Sequence, residues 1–193
     1  MRILAIRGSN LASLAGEFEI DFQAEPLCSA GLFAITGPTG AGKSTLLDAL
    51  CLALYERTPR LARASSRGET IPDVGDNSVS PSDPRTILRR GAAEGYAEVD
   101  FAGNDGLAYR ARWSVRRARS KSGGRLQPSE ISLLRLADSQ VLSDNRKTET
   151  LQLIESRIGL NFDQFTRAVL LAQTNLPPSC ERPTMSAPSC CRP

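Results

Sequence analysis

No histidine occurs among the 193 residues, and no two of the five cysteines form a CxxC pair. A zinc site of the usual ligand spacing is therefore not expected. Cys180, Cys190 and Cys191 fall within the last fourteen residues at a spacing that suits neither a zinc site nor a disulfide framework. Cys28 and Cys51 stand among small or apolar neighbours and are expected to pack as small hydrophobes. Apolar runs are short, and none approaches the roughly 20 residues that span a bilayer. The opening MRILAIRGSN lacks the long apolar core and small-residue cleavage site of a secretory signal, so the expectation is a cytoplasmic chain with no membrane partner. Only three of the 24 basic residues are lysine, and the net charge of +3 is too small to imply nucleic-acid binding by itself.

With 40% apolar and 23% charged residues, the chain has room for one globular domain with a real core. RILAIRG and GEFEIDF alternate apolar and polar residues and predict a hairpin. The short run Leu32 to Thr36 predicts a buried strand. From Lys43 to Tyr55, Leu46, Leu47, Leu50, Ala53 and Leu54 recur at helical spacing, and Pro59 is expected to end that helix. Residues 60–84 are rich in Ser, Gly, Asp, Arg and Pro and read as an exposed loop. AEVDFAG and AYRARWSVRR predict a second hairpin across the Asn104-Asp105-Gly106 turn. ISLLRLA follows as another strand, with a turn at Asp138-Ser139. A helix is expected from Thr148 to Gly159, and a last one from Asp163 to Ala172. The class is α/β with a mixed sheet, β-hairpins and flanking helices.

GPTGAGKST matches G-x-x-x-x-G-K-[ST] in full, between a strand-like run and an amphipathic helix. The candidate nucleotide-binding residues are Gly37, Pro38, Thr39, Gly40, Ala41, Gly42, Lys43, Ser44 and Thr45. The glycines let the backbone curl until successive N–H groups face phosphate oxygens. Lys43 supplies a flexible charge for the β- and γ-phosphates, Ser44 offers a hydroxyl to Mg²⁺, and the helix N-terminus adds partial positive charge. ATP and Mg²⁺ are the implied cofactors. Turnover needs more: an acidic residue closing an apolar strand, and a group to orient water. No run of four apolar residues ends in Asp-Glu. Asp21 and Asp100 lie in alternating strands and are expected to face solvent.

The segments RILAIRGSNLASLAGEFEIDF, LFAITGPTGAGKSTLLDALCLALYERTPRL and FTRAVLLAQ resemble, over about residues 1–173, the N-terminal ATPase lobe of SbcC, the SMC-like ATPase subunit of the SbcCD nuclease complex. That resemblance implies an ABC-ATPase-like P-loop lobe, with Gln173 as the Q-loop glutamine at Mg²⁺ or the attacking water. Lys43 and Gln173 are then the candidate catalytic residues, and Ser44 and Gln173 the Mg²⁺ ligands. Asn10 to Ser13 fall where the family places residues near the nucleotide. The implied partners are a second SbcC-like head, an SbcD-like nuclease subunit and double-stranded DNA, in a nucleoid-associated setting. The signature loop, the Walker B acids, the hook cysteines and the coiled coil of the family are absent from these residues. Two function classes stay open: an ATPase component of DNA-end processing, or a nucleotide-binding module without turnover of its own. A RecF-like or transporter-type head is a more distant alternative.

YRARWSVRRARSKSGGR is densely basic. Arg116, Arg117 and Arg119 are its candidates for contact with DNA phosphates. After Gln173 the pattern breaks, since five prolines in the last twenty residues exclude a continuing helix. Residues 174–193 are expected to be disordered. Regrouping the bases of permitted codons by one position lets this tail read (E)(L/F)AAFLRAPDDERAELL, the continuation the family would have. A frameshift just after Gln173 is the expectation.

Overall fold

The computed structural model describes residues 1–62, 70–75, 77–143 and 146–168. In chain order these form β1 (Arg2–Leu11), β2 (Leu14–Asp21), α1 (Lys43–Tyr55), α2 (Pro59–Ala62), β3 (Ile71–Pro72), β4 (Ser78–Val79), β5 (Glu94–Ala102), β6 (Ala108–Arg116), β7 (Glu130–Arg135), β8 (Gln140–Val141), α3 (Lys147–Ile158) and α4 (Phe162–Ala168). Six strands make one sheet in the order β2-β1-β5-β6-β7-β8, and every pairing in it is antiparallel. Both expected hairpins form, and β5 meets β6 in unbroken register from Glu94 opposite Arg116 to Ala102 opposite Ala108. No helix among the described residues is long and apolar enough to cross a membrane.

Alternation along β5 and β6 sorts the two faces. Ala97, Val99, Phe101, Tyr109, Ala111 and Trp113 are buried on one side. There they meet Leu50 to Leu54 of α1 and Ile154 and Ile158 of α3 in a single cluster. Each such leucine contributes about 1.5–3 kcal/mol by leaving water. α1 is therefore fixed along the sheet's inner face, which sets the position of whatever precedes it.

The opposite face carries an ion-pair lattice. Asp100, expected to face solvent, is only 4% exposed. Its carboxylate accepts from Arg7 Nη1 at 2.7 Å and from Arg110 Nε and Nη2 at 2.7 and 2.8 Å, while Arg112 Nη1 donates to Glu98 at 2.8 Å. The arginine stems cover the acids, and sequence alternation alone could not reveal that cover. Burial by itself would push the Asp100 carboxyl up. The hydrogen bonds and charges of Arg110 and Arg7 outweigh it and hold the group below its ordinary 3.8. A carboxyl depressed on folding stabilises fully above its unfolded pKa and loses that stabilisation as pH falls through the folded value. Asp100→Asn is expected to be less stable than wild type at neutral pH, with the gap closing as acid is added below about pH 4. Thermal unfolding across that range checks it, and a gap independent of pH would contradict it.

Several expectations are corrected. Residues 32–36 form no strand: Leu32 is 94% exposed, and Phe33 and Ile35 are exposed too. Instead of pairing in the sheet, the segment lies along an apolar groove in which Phe33 packs on Phe22, ring centroids 5.6 Å apart. That groove, lined by Ile3, Ile20, Phe33 and Leu47 among others, measures about 700 Å³. Cys51 is buried as expected, but Cys28 is exposed and its thiol donates to Glu25 at 2.9 Å. α1 ends at Glu56, whose left-handed backbone (φ 52°) closes the last turn, and Pro59 starts α2 instead of stopping α1. The stretch read as a loop from residue 60 contains α2 and a small β3–β4 ribbon. α3 begins one residue before Thr148 and ends on Gly159 at φ 75°. The expected last helix begins at Phe162, and its reach beyond Ala168 lies outside the described residues.

Candidate functional site

The sequence GPTGAGKST forms an exposed loop that runs directly into α1. Gly40 and Gly42 have φ of 86° and 93°, a left-handed region that other residues enter only at a cost. Gly42 caps the helix without a side-chain bond, and its carbonyl accepts from Thr45 at 2.9 Å and Leu46 at 3.2 Å. The amides of Lys43 and Ser44, at the very start of the helix, have no acceptor earlier in it and add to its positive end at the loop. Ser44 is exposed in that first turn, while Thr45 is buried beneath it. Lys43 Nζ lies across the loop and donates to the carbonyls of Gly37 at 2.7 Å and Pro38 at 2.8 Å. The ammonium is thus held against the loop's own carbonyls.

The β1–β2 turn closes one side. Ser13 Oγ stands 3.4 Å from Thr45 Oγ1, and Leu14 packs so close to Gly42 that a methyl group there would run into it. Of the Asn10 to Ser13 segment, Ser13 is thus placed against the loop, with Leu14 next to it. One turn into α1, Asp48 is buried. Burial pushes its carboxyl up against the opposing pull of Arg60, whose Nη2 is 2.6 Å away.

This donor set fits a polyphosphate. Converging main-chain amides, a helix N-terminus and a mobile cation can bind anionic oxygens, and the adjacent exposed hydroxyl can serve a hard divalent ion. Gln173, the remaining candidate for Mg²⁺ and catalysis, lies outside the described residues, as does the tail from residue 174.

The basic stretch does not form one face. Arg116 is exposed at the end of β6, with Glu130 at 3.8 Å as its one ion-pair partner among the described residues, and Arg119 is exposed in the following 3-10 turn. Arg117 is 7% exposed and bonds Asp73 at 2.8 and 3.1 Å and the Gly124 carbonyl at 2.9 Å. The hydrogen bond from Arg117 holds the Asp73 carboxyl below its usual range. Arg117 thus anchors the β3–β4 ribbon and is withdrawn from solvent, a correction to its reading as a DNA contact. Sequence reasoning also missed Glu56, which accepts from Trp113 Nε1 at 3.2 Å and pairs with Lys147. No local pattern signals a contact between residues so far apart in the chain.

A family model described as AAA domain matches residues 5–185. The chain is 63% identical over 174 residues to a protein of Pseudomonas aeruginosa named as the C subunit of the SbcCD nuclease, covering 90% of this chain and 14% of that one. It is 55% identical to the protein of that name in Rhodobacter capsulatus and 28% identical to that in Bacillus subtilis, again over 90% of this chain. The chain spans about 14% of the length of the first two relatives.

Proposed function

Given that this chain belongs to the AAA domain family, we propose that it is the ATP- and Mg²⁺-binding lobe of an SbcC-like ATPase that drives processing of DNA double-strand ends. The observation that carries this reading is the phosphate cradle. Gly40 and Gly42 turn the loop, α1 presents its first-turn amides, and Lys43 already lies across the opening on two carbonyls. Bound there, the triphosphate would be held by the amides of Gly40 to Thr45 and by the ammonium of Lys43, with Mg²⁺ on Ser44. Gln173 would complete the metal site.

Hydrolysis requires acids and a signature loop supplied by another lobe. The exposed apolar groove beside α1 is consistent with a lobe built to be covered. The partners in the working assembly are a second SbcC-like head, an SbcD-like nuclease subunit and double-stranded DNA, in the cytoplasm at the nucleoid. Arg116 and Arg119 are the exposed candidates for its phosphates.

Turnover tests this reading. The purified chain is expected to hydrolyse no ATP above the background of Lys43→Ala. Joined to an ABC-type C-terminal lobe, it is expected to turn over and to respond to duplex ends. Neutralising Arg116 and Arg119 in the joined protein should weaken that response. Hydrolysis by the chain alone would contradict the division of labour, and an unchanged duplex response would remove the two arginines from the DNA surface.

A further inference from the structure

The wall beside the phosphate loop is made of residues that would not hold their shape alone. Asn10 and Ala12 have φ of 53° and 45°, the left-handed region that an alanine enters only under outside constraint. That constraint comes from a segment more than seventy residues away. Ile87 accepts the Ala12 amide at 2.7 Å, and Arg89 donates its own amide to Asn10 at 2.9 Å. The Arg89 side chain then reaches over the turn, its Nη1 donating to the Ala12 carbonyl at 3.2 Å and the Ser13 carbonyl at 2.9 Å. The far side of the same turn touches the loop, Leu14 against Gly42 and the Ser13 hydroxyl 3.4 Å from that of Thr45.

We infer that Arg89 is a positioning residue for the phosphate loop, acting through the β1–β2 turn. Its charge satisfies two carbonyl ends of the turn, on the Ala12 and Ser13 side. Its Nη1 alone donates to both at once, fixing the turn that limits where Gly42 and the start of α1 can lie. The inference rests on the reading of Gly37 to Thr45 as the nucleotide cradle. It extends that reading to a residue the P-loop pattern does not contain.

The test is a calorimetric titration of MgATP into the purified chain and its variants, with folding checked by circular dichroism. Arg89→Met keeps the length of the side chain and removes its donors. It is expected to weaken binding about tenfold, the lower end of what the loss of an orienting partner costs. Arg89→Lys, which can still donate to both carbonyls, is expected to recover most of that affinity. Arg135→Met, which removes an ion pair to Asp138 at the β7–β8 turn, serves as the control and is expected to bind as wild type.

A role in stability alone would lower the unfolding midpoint of Arg89→Met while its folded fraction bound normally, and that result would overturn the inference. If Arg89→Met does not fold, Leu14→Ala decides, with a loss of about tenfold expected and wild-type affinity overturning the proposal. No binding by wild type, or equal binding by Lys43→Ala, would sink the cradle reading and this inference with it. Binding lost in Lys43→Ala but intact in Arg89→Met would sink the inference alone.

Discussion

Replacing Trp113 by alanine is expected to cost about 3–5 kcal/mol of folding stability. The side chain is fully buried on β6, opposite Ala97 of β5 and Ile131 of β7, and it lies in the cluster that joins the sheet to α1 and α3. Ala97 is too small to collapse into the space, so a cavity remains and the lost transfer and dispersion energies add. A second loss follows from the indole N–H, which donates to Glu56 at 3.2 Å directly after α1 ends. Glu56 closes the last turn of that helix and pairs with Lys147 at the start of α3, so the indole also ties two helices to the sheet. Domains of this size are stable by only about 5–15 kcal/mol, so the variant should approach the edge of folding. Trp113 is the only tryptophan in the chain, so urea unfolding of the variant must be followed by circular dichroism. A loss below about 1 kcal/mol would place the core elsewhere than between α1 and this sheet.

Much of this architecture was legible locally. The period of Leu46, Leu50 and Leu54 and the lysine after Gly42 delimit α1 as the structure has it. Asn104-Asp105-Gly106 joins β5 to β6 at the expected turn, and Gly159 ends α3 in the left-handed conformation that favours glycine. These are cases in which a few adjacent residues decide the backbone.

The misreadings share the opposite character. Residues 32–36 have the composition of a buried strand, but burial depends on neighbours, and Phe22 and the groove beside α1 cover Phe33 and Ile35 only in part while Leu32 stays exposed. Asp100 looks like an outward charge on an alternating strand. Arginines from β1 and β6 turn that outer face into a covered lattice. Arg117 belongs to a basic run, yet Asp73, forty-four residues earlier, draws it inward. The contacts of Arg89 with the β1–β2 turn span seventy-six and seventy-seven residues and left no trace in local pattern. Composition and period report what a segment prefers, whereas ion pairs and edge pairing are settled by what the fold brings alongside.

Lys43→Ala is the variant with the largest expected effect on binding. Its ammonium spans the loop on the Gly37 and Pro38 carbonyls, so it needs no large movement to meet an anion placed between them and the start of α1. Hydrogen bonds to charged groups contribute about 1.5–3 kcal/mol each. Losing two such bonds to phosphate oxygens should weaken nucleotide binding by roughly 100-fold or more. The fold should not suffer, because the side chain is half-buried at the surface and its only described partners are the two loop carbonyls. Unfolding midpoints of the variant and wild type should therefore agree.

The most direct measurement is calorimetric titration of ATP with Mg²⁺ into the purified wild-type chain and Lys43→Ala. Saturable heat from wild type, lost in the variant at an unchanged unfolding midpoint, is the predicted result. No heat from wild type, or the same affinity in both proteins, would contradict the cradle at Gly37 to Thr45.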